Sequence, residues 1–463
     1  MERSKQRLVL LVVTTAGFLS TFMASALNVA LPEIQDQLGF NAVTLGWVQL
    51  AYILGAAALL MPVGRIADFS GRKRVFLIGI STFSLFVLAA ALAPSAPVLI
   101  ALRLLQGFAT AALFSCTTAM VSLAYPAEER GKALGMQVAG VYLGLTLGPV
   151  LGGLITSAFG WRYIFVLVGI IGVIDIVLTA WRLTGTDWKE PRKASFDVRG
   201  SVAWAVSLSV MLVGFSLLPT VTGWAMIVAG VVGLAGFLWM ETKTAEPVLG
   251  VDLFRYNRVF AFSSMASFIN YAATYAMTFL MSLYLRFNMG LSPEHAAFVL
   301  ITAAVAQTVV SPFSGRLTDR LPARYVATAG MGVCVLGLAA FVFLGPHSPY
   351  WYIITTLAVL GLGFGFFATP IVHSILASVP RRDTGLASAA IGTTRLTGQS
   401  ISIGLATLVL AVVVGPHEIT TQDLHSLLTA IRITFAIFTV LCIVGMAGAL
   451  VGPRAGTGEP EGH

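Results

Sequence analysis

The chain has 463 residues, of which 57% are apolar and only 10% charged, with a mean hydropathy of +0.88. Soluble domains carry about 25% charged residues, so a water-soluble fold is excluded. The net charge of +8 invites an acidic partner, but the basic residues stand between apolar segments; the excess is topological, and no nucleic-acid partner is expected.

A spanning helix needs about 20 apolar residues. Fourteen stretches qualify: about 8–31, 46–67, 75–93, 97–124, 132–157, 161–183, 200–219, 222–240, 259–285, 294–314, 325–344, 351–378, 385–413 and 427–451. The first is preceded by Arg3, Lys5 and Arg7, and Ala24-Ser25-Ala26 imitates a cleavage site. The apolar run continues past that site, so it reads as a span rather than a leader. Arg103 and Arg395 fall inside helices, Arg162, Arg286 and Arg432 lie near the far face, and the other 23 of the 28 Lys and Arg fall on the N-terminal side. Basic residues resist translocation, so both termini are expected in the cytoplasm. Arg182, Lys189, Arg192, Lys193 and Arg199 make the sixth-to-seventh loop basic, whereas Ser95, Pro219 and Pro346 mark short uncharged outer turns. Cys116, Cys334 and Cys442 all fall in apolar segments and read as small apolar fillers rather than a disulfide framework.

One motif occurs twice. GRIADFSGRKR, Gly64 to Arg74, is echoed by GRLTDRLPAR, Gly315 to Arg324, each 56 residues after an apolar segment begins, at Leu8 and at Val259. The plan is duplicated. With Gly64, Asp68, Gly71, Arg72 and Lys73 in the first copy and Gly315 and Asp319 in the second, the chain resembles the major facilitator superfamily of secondary transporters. Pro322 replaces the second copy's later glycine. The resemblance implies an all-α membrane fold: a six-helix bundle over 1–198, two inserted helices and a linker over 199–258, and a second bundle over 259–451; the tail over 452–463, rich in Gly, Pro and Glu, reads as disordered. Two extra helices between the halves resemble the fourteen-spanning branch of the drug:proton antiporters. Asp68 and Asp319 then read as gate latches, or as caps within their loops.

The fifth span carries Gly140, Gly144, Gly148 and Gly152 at steps of four, with Pro149 and Gly153 beside them. Such a bare face lets helices approach closely, and the proline permits a bend. Gly148-Pro149 followed by Gly152-Gly153 resembles the superfamily's antiporter motif, which implies a hinge and seal and favours export.

Arg103, ahead of Gln106-Gly107, is costly at that depth, on the order of 3 kcal/mol. It either snorkels or, as the family motif implies, takes part in proton coupling. Arg395 and Gln399 share a face at i, i+4 and occupy the repeat positions of Gly144 and Gly148. Arg395, near mid-membrane, is the leading binding-site candidate, with a helix-to-helix clamp as the alternative. Relatives in this branch usually carry an acid five positions before the stretch Asn28 to Pro32; Met23 stands there, which counts against cation efflux. Asp175 is the one carboxylate deep in a helix, and His373 is a candidate because histidine as a residue type exchanges protons near neutral pH; either carries a proton or is structural. Gln49, Tyr52, Asn270, Tyr271 and Tyr275 project from helices expected to line the cavity.

No phosphate-binding glycine loop, metal cluster or nucleophile constellation is present. An enzyme, a resident cofactor and ATP drive are therefore not expected, which leaves the proton gradient as the energy source. The expected protein is a monomeric bacterial or archaeal plasma-membrane exporter of hydrophobic or amphiphilic small molecules by proton antiport. The alternative is a transporter of organic anions or neutral metabolites along an arginine-lined pathway.

Overall fold

The computed structural model describes residues 3–183, 197–218, 220–244, 251–318, 320–379, 384–415, 419–420 and 422–451. Asp319, Lys189, Arg192, Lys193, Pro219 and the tail from Gly452 lie outside these residues, as does the side chain of Asp68. The described helices are α1 (Arg3–Leu38), α2 (Ala42–Ser70), α3 (Arg72–Ala91), α4 (Ala96–Ala124), α5 (Ala127–Phe159), α6 (Arg162–Arg182), α7 (Val198–Ser216), α8 (Val221–Glu241), α9 (Val251–Tyr256), α10 (Arg258–Thr274), α11 (Met277–Leu283), α12 (Pro293–Thr318), α13 (Ala323–Val342), α14 (Tyr350–Ala377), α15 (Thr384–Val413) and α16 (Leu424–Val451).

Thirteen of them are long and apolar enough to cross a membrane. In lipid every backbone group must be paired internally, which is why apolar runs of this length become helices. The ninth crossing, expected as one unbroken stretch over 259–285, is instead assembled from α10, α11 and a π-helical turn, Tyr284–Asn288. The break falls at Tyr275 and Ala276. There the Ala276 amide donates to Ser402 Oγ on α15 at 3.0 Å, so a side chain of another helix satisfies a group that the interrupted ladder leaves free.

The duplication is visible in the packing. In the first half α1 packs on α5, α2 on α4, and α3 on α4 and α6; in the second α10 packs on α15, α12 on α14, and α13 on α14 and α16. The halves meet along two seams, α2 against α15 and α5 against α12. The extra helices α7 and α8 pack on each other, and α7 also touches α2 and α15. Only 17% of the apolar window of α8 is buried, so α8 is the outermost element of the pair.

Several contacts across the seams lie on the face away from the termini, and others fall farther along: a Cβ on Gly392 of α15 would meet Leu60 of α2 at 3.0 Å, and the Thr146 and Thr308 hydroxyls stand 3.4 Å apart. Gln35 Nε2 donates to the Ile419 carbonyl at 3.0 Å, and Ser282 Oγ donates to the Asn28 carbonyl. Gly46 lies against Thr407, and Gly153 against Ala297 and Pro293. On the terminal side Gln6 donates to Ala124, Lys73 to Leu183 and Asn257 to Ser378, each within one half.

Candidate functional site

The motif glycine Gly71 sits between α2 and α3 at φ +94°, a backbone geometry that L side chains avoid. The adjoining Lys73 ties α3 to the carbonyl of Leu183 just past α6. Gly64 and Gly315 have room around them: the nearest atoms to a built Cβ are Ser115 Cβ at 3.7 Å and Thr369 Cγ2 at 3.8 Å.

The glycine face of α5 turns toward α1. A Cβ on Gly140, Gly144, Gly148 or Gly152 would lie 2.3, 2.3, 1.8 and 2.7 Å from Thr14, Thr21, Ser25 and Ala26, respectively. This approach lets α1 hydroxyls reach α5 carbonyls: Thr21 Oγ1 donates to Val141 at 2.9 Å and Ser25 Oγ to Gly144 at 3.2 Å. Gly153 points the other way, where a Cβ would meet Ala297 Cβ at 2.6 Å. Four glycines therefore bind the first half to itself, and the fifth contacts the second half. Pro149, buried among them, interrupts the hydrogen-bond ladder of α5.

Arg103 is fully buried. Its Nε donates to the Val48 carbonyl at 3.0 Å and its Nη1 to Gln106 Oε1 at 2.9 Å. Its guanidinium carbon stands 4.2 Å from the centre of the Tyr52 ring. Gln106 in turn donates to the Phe86 carbonyl, Tyr52 OH to the Ser20 carbonyl, and Thr110 Oγ1 to Tyr52 OH. One cation thus knits α1, α2, α3 and α4 together, and its Nη2 is left without a partner among the described residues.

Between the halves the structure gathers a second group. Arg395 on α15 lies with its guanidinium carbon 5.1 Å from the Phe114 ring centre on α4. It is within electrostatic reach of Tyr52, Tyr142, Tyr271 and Tyr275, and Tyr271 is itself set edge-on to Phe364 at 5.5 Å. Helices from both halves therefore present tyrosine and phenylalanine around one cation, and no carboxylate is among these residues. Gln399 stands one turn along the same face of α15, half-buried. Gln49 on α2 is buried, and neither atom of its amide has a partner among the described residues. Met23 on α1 is fully enclosed.

Other expected residues fall elsewhere. Asp175 lies one turn beyond Gly172, whose built Cβ meets Ser84 of α3 at 2.1 Å. It is buried on the α3 side of α6 and accepts from Thr179 at 3.4 Å, away from the group around Arg395. Asn270 is turned to Cys334 on α13, and His373 is exposed near the terminal-side end of α14. Ser402 serves the break in the ninth crossing rather than standing free. Phe114, Tyr142 and Phe364 are the members of the group that the sequence did not single out. Aromatic residues are common in apolar spans, and nothing local marks the few that face inward.

The Major Facilitator Superfamily model matches residues 13–266 and 263–462. The chain is 31% identical over 416 residues to Multidrug resistance protein Stp of Mycobacterium tuberculosis, covering 88% of this chain and 76% of that protein. It is 30% identical over 406 residues to Riboflavin transporter RibZ of Clostridioides difficile, covering 87% of each, and 30% identical over 412 residues to Cephamycin export protein CmcT of Amycolatopsis lactamdurans, covering 86% and 83%. Among solved structures, a bacterial homolog of the human lysosomal transporter Spinster, inward-facing and unoccupied, superposes with a TM-score of 0.68 over 97% of both chains at 16% identity; that likeness concerns the fold.

Proposed function

Because the chain belongs to the Major Facilitator Superfamily, we propose that it is a secondary transporter exporting aromatic amphiphiles, neutral or anionic, from the cytoplasm across the plasma membrane. The observation that carries this reading is Arg395, held between the halves among Phe114, Tyr142, Tyr271 and Tyr275 with no acid beside it. Aromatic faces attract flat apolar groups, a guanidinium attracts carboxylates and other planar anions, and a lipophilic cation meets repulsion there. Export is supported by the antiporter motif on α5 and by relatives named for multidrug resistance and cephamycin export. Both termini are then cytoplasmic and the far face is the outer one. Alternating access follows from rocking the halves about their two seams.

We assign the proton gradient as the energy source, in antiport. Protein in liposomes containing a pH-sensitive dye is challenged under an imposed proton gradient with naphthalene derivatives that differ only in carrying a sulfonate, an amide or a trimethylammonium group. The sulfonate and the amide should trigger proton movement, and Arg395→Ala should weaken the sulfonate response about tenfold while sparing the amide. A response to the ammonium compound alone would reverse the charge assignment. Substrate flux without proton movement would end the antiport reading.

A further inference from the structure

Two contacts fix which side of α2 faces α15 and how the two helices run. A Cβ on Gly46 of α2 would stand 1.9 Å from Thr407 Oγ1, and one on Gly392 of α15 would meet Leu60 Cδ2 of α2 at 3.0 Å. The helices are therefore antiparallel. Gln49 stands three residues after Gly46 and eleven before Leu60. Eleven residues make three turns and about 20°, so Gln49 and Leu60 share the side of α2 that faces α15. Gly55, about half a turn round the axis from Gly46, faces α4 instead, where a Cβ would lie 2.5 Å from the Leu104 carbonyl oxygen.

Gln49 is 1% exposed, and neither its Oε1 nor its Nε2 has a partner among the described residues. Across the seam Thr407 is fully enclosed, and its Oγ1 is unpartnered as well. Polar groups nearby on the same helices are satisfied: Tyr52 OH donates to the Ser20 carbonyl, Ser400 Oγ donates to the Leu396 carbonyl, and Ser402 Oγ accepts from Ala276. Ala57, about two turns along α2, accepts the indole N–H of Trp204 on α7 at 3.2 Å, beside an apolar cavity of about 180 Å³.

An amide enclosed without partners is costly, and parting the seam returns that cost. The register says where the amide then stands. Gly46 against Thr407 and Leu60 against Gly392 put Gln49 level with Ile403 and Gly404, one turn, about 6 Å, beyond Gln399 toward the far face. Arg395 lies a further turn back. A molecule leaving Arg395 for the far face passes Gln399 and then reaches Gln49. There Oε1 accepts and Nε2 donates, which matches a group carrying N–H beside C=O. A carboxamide, lactam or imide edge satisfies both atoms, whereas a sulfonate offers no donor and is held at Arg395.

We propose that Gln49 is a specificity-determining residue on the far side of the Arg395 group, exposed when the α2–α15 seam parts and pairing with a carboxamide, lactam or imide edge of the transported molecule. The assignment rests on the substrate reading of the Arg395 group and adds to it the functional group that is read next.

The test measures binding by calorimetry to the purified full-length protein in detergent, with 2-naphthamide, N,N-dimethyl-2-naphthamide and naphthalene-2-sulfonate. The wild type should hold 2-naphthamide about fivefold to tenfold more tightly than its dimethyl derivative, which lacks the N–H; that is the effect of roughly one hydrogen bond. Gln49→Leu should abolish the preference, and Gln49→Asn, which keeps the amide, should retain part of it. Sulfonate affinity should be unchanged in both, which marks a folded site. An unaltered preference in Gln49→Leu overturns the proposal, as does an equal loss of affinity for all three compounds. Exposure has its own readout: with the three native cysteines changed to alanine, Gln49→Cys should react with a small maleimide, and a thiol that never reacts overturns the proposal too. Arg395→Ala separates the two readings, since it should weaken the sulfonate and spare the amide preference. Sulfonate affinity that survives Arg395→Ala removes the reading of Arg395 and leaves that of Gln49; a preference that survives Gln49→Leu does the reverse.

Discussion

Consider Gly148→Ala. The new methyl group would lie 1.8 Å from Ser25 Oγ and 2.9 Å from Ser25 Cβ, with the Ala26 amide nitrogen at 3.0 Å. Overpacking of this kind costs about 1–3 kcal/mol, against a gain of about 0.5–1 kcal/mol for replacing a mid-helix glycine, so a net loss of about 1–2 kcal/mol is expected. Most of the overlap is with one side chain. Ser25→Gly removes both of its short contacts, so the pair should show a favourable coupling of about 1 kcal/mol in a double-mutant cycle. Gly144→Ala differs, because its methyl group would lie 2.5 Å from the Phe18 carbonyl oxygen as well as 2.3 Å from Thr21 Oγ1. Thr21→Ala leaves the backbone overlap and should not rescue it. The three cysteines are buried and in no disulfide, so a thiol-reactive dye reports thermal unfolding in detergent. Gly64→Ala, with its nearest neighbour at 3.7 Å, is the control and should melt no lower than wild type. A Gly148→Ala protein as stable as the control, or equal rescue of both pairs, would refute the argument that α5 is glycine-rich because α1 lies against it.

Arg103→Ala should lower stability by about 1–3 kcal/mol, since it leaves the Gln106 amide oxygen and the Val48 carbonyl without their donor in a buried site; Arg103→Lys, which lacks the planar fork, should recover only part of the melting temperature. Ser402→Ala removes the acceptor at the break in the ninth crossing and should cost about 1 kcal/mol, with faster amide exchange at Ala276 as its local signature. A Gly46→Cys/Thr407→Cys pair should oxidise after a small parting of α2 and α15, because the built Cβ of Gly46 stands 2.9 Å from Thr407 Cβ, closer than the roughly 3.5–4.5 Å of a disulfide. The bridged protein should stop transporting and resume on reduction; full transport while bridged would count against far-face opening.

Much of this architecture can be read directly from the chain, because the bilayer simplifies the code. Apolar runs of spanning length must be helices, and the echo of GRIADFSGRKR in GRLTDRLPAR announces the twofold plan that the packing of α2 on α4 and α12 on α14 repeats. Arg103 and Arg395 are conspicuous for the same reason: a cation in a span stands out. Rotation about the helix axis is harder to read. Asp175 is as deep as a coupling residue would be, but it faces α3, and no pattern of lipid-facing polarity surrounds it to show which way α6 is turned. Tyr142, Phe114 and Phe364 look like any other aromatic residues in apolar segments. The ninth crossing reads as continuous because its interruption depends on Ser402, which is distant in the chain.

The Trp204 indole fastens α7 to α2 in the first half, whereas α7 meets α15 in the second half through apolar contact and a cavity. A tether on one side and a sliding surface on the other make the inserted pair a follower of the first half. As the halves rock, the volume beside Trp204 would change in step with the cycle, so its emission would serve as a built-in gauge of which way the transporter faces.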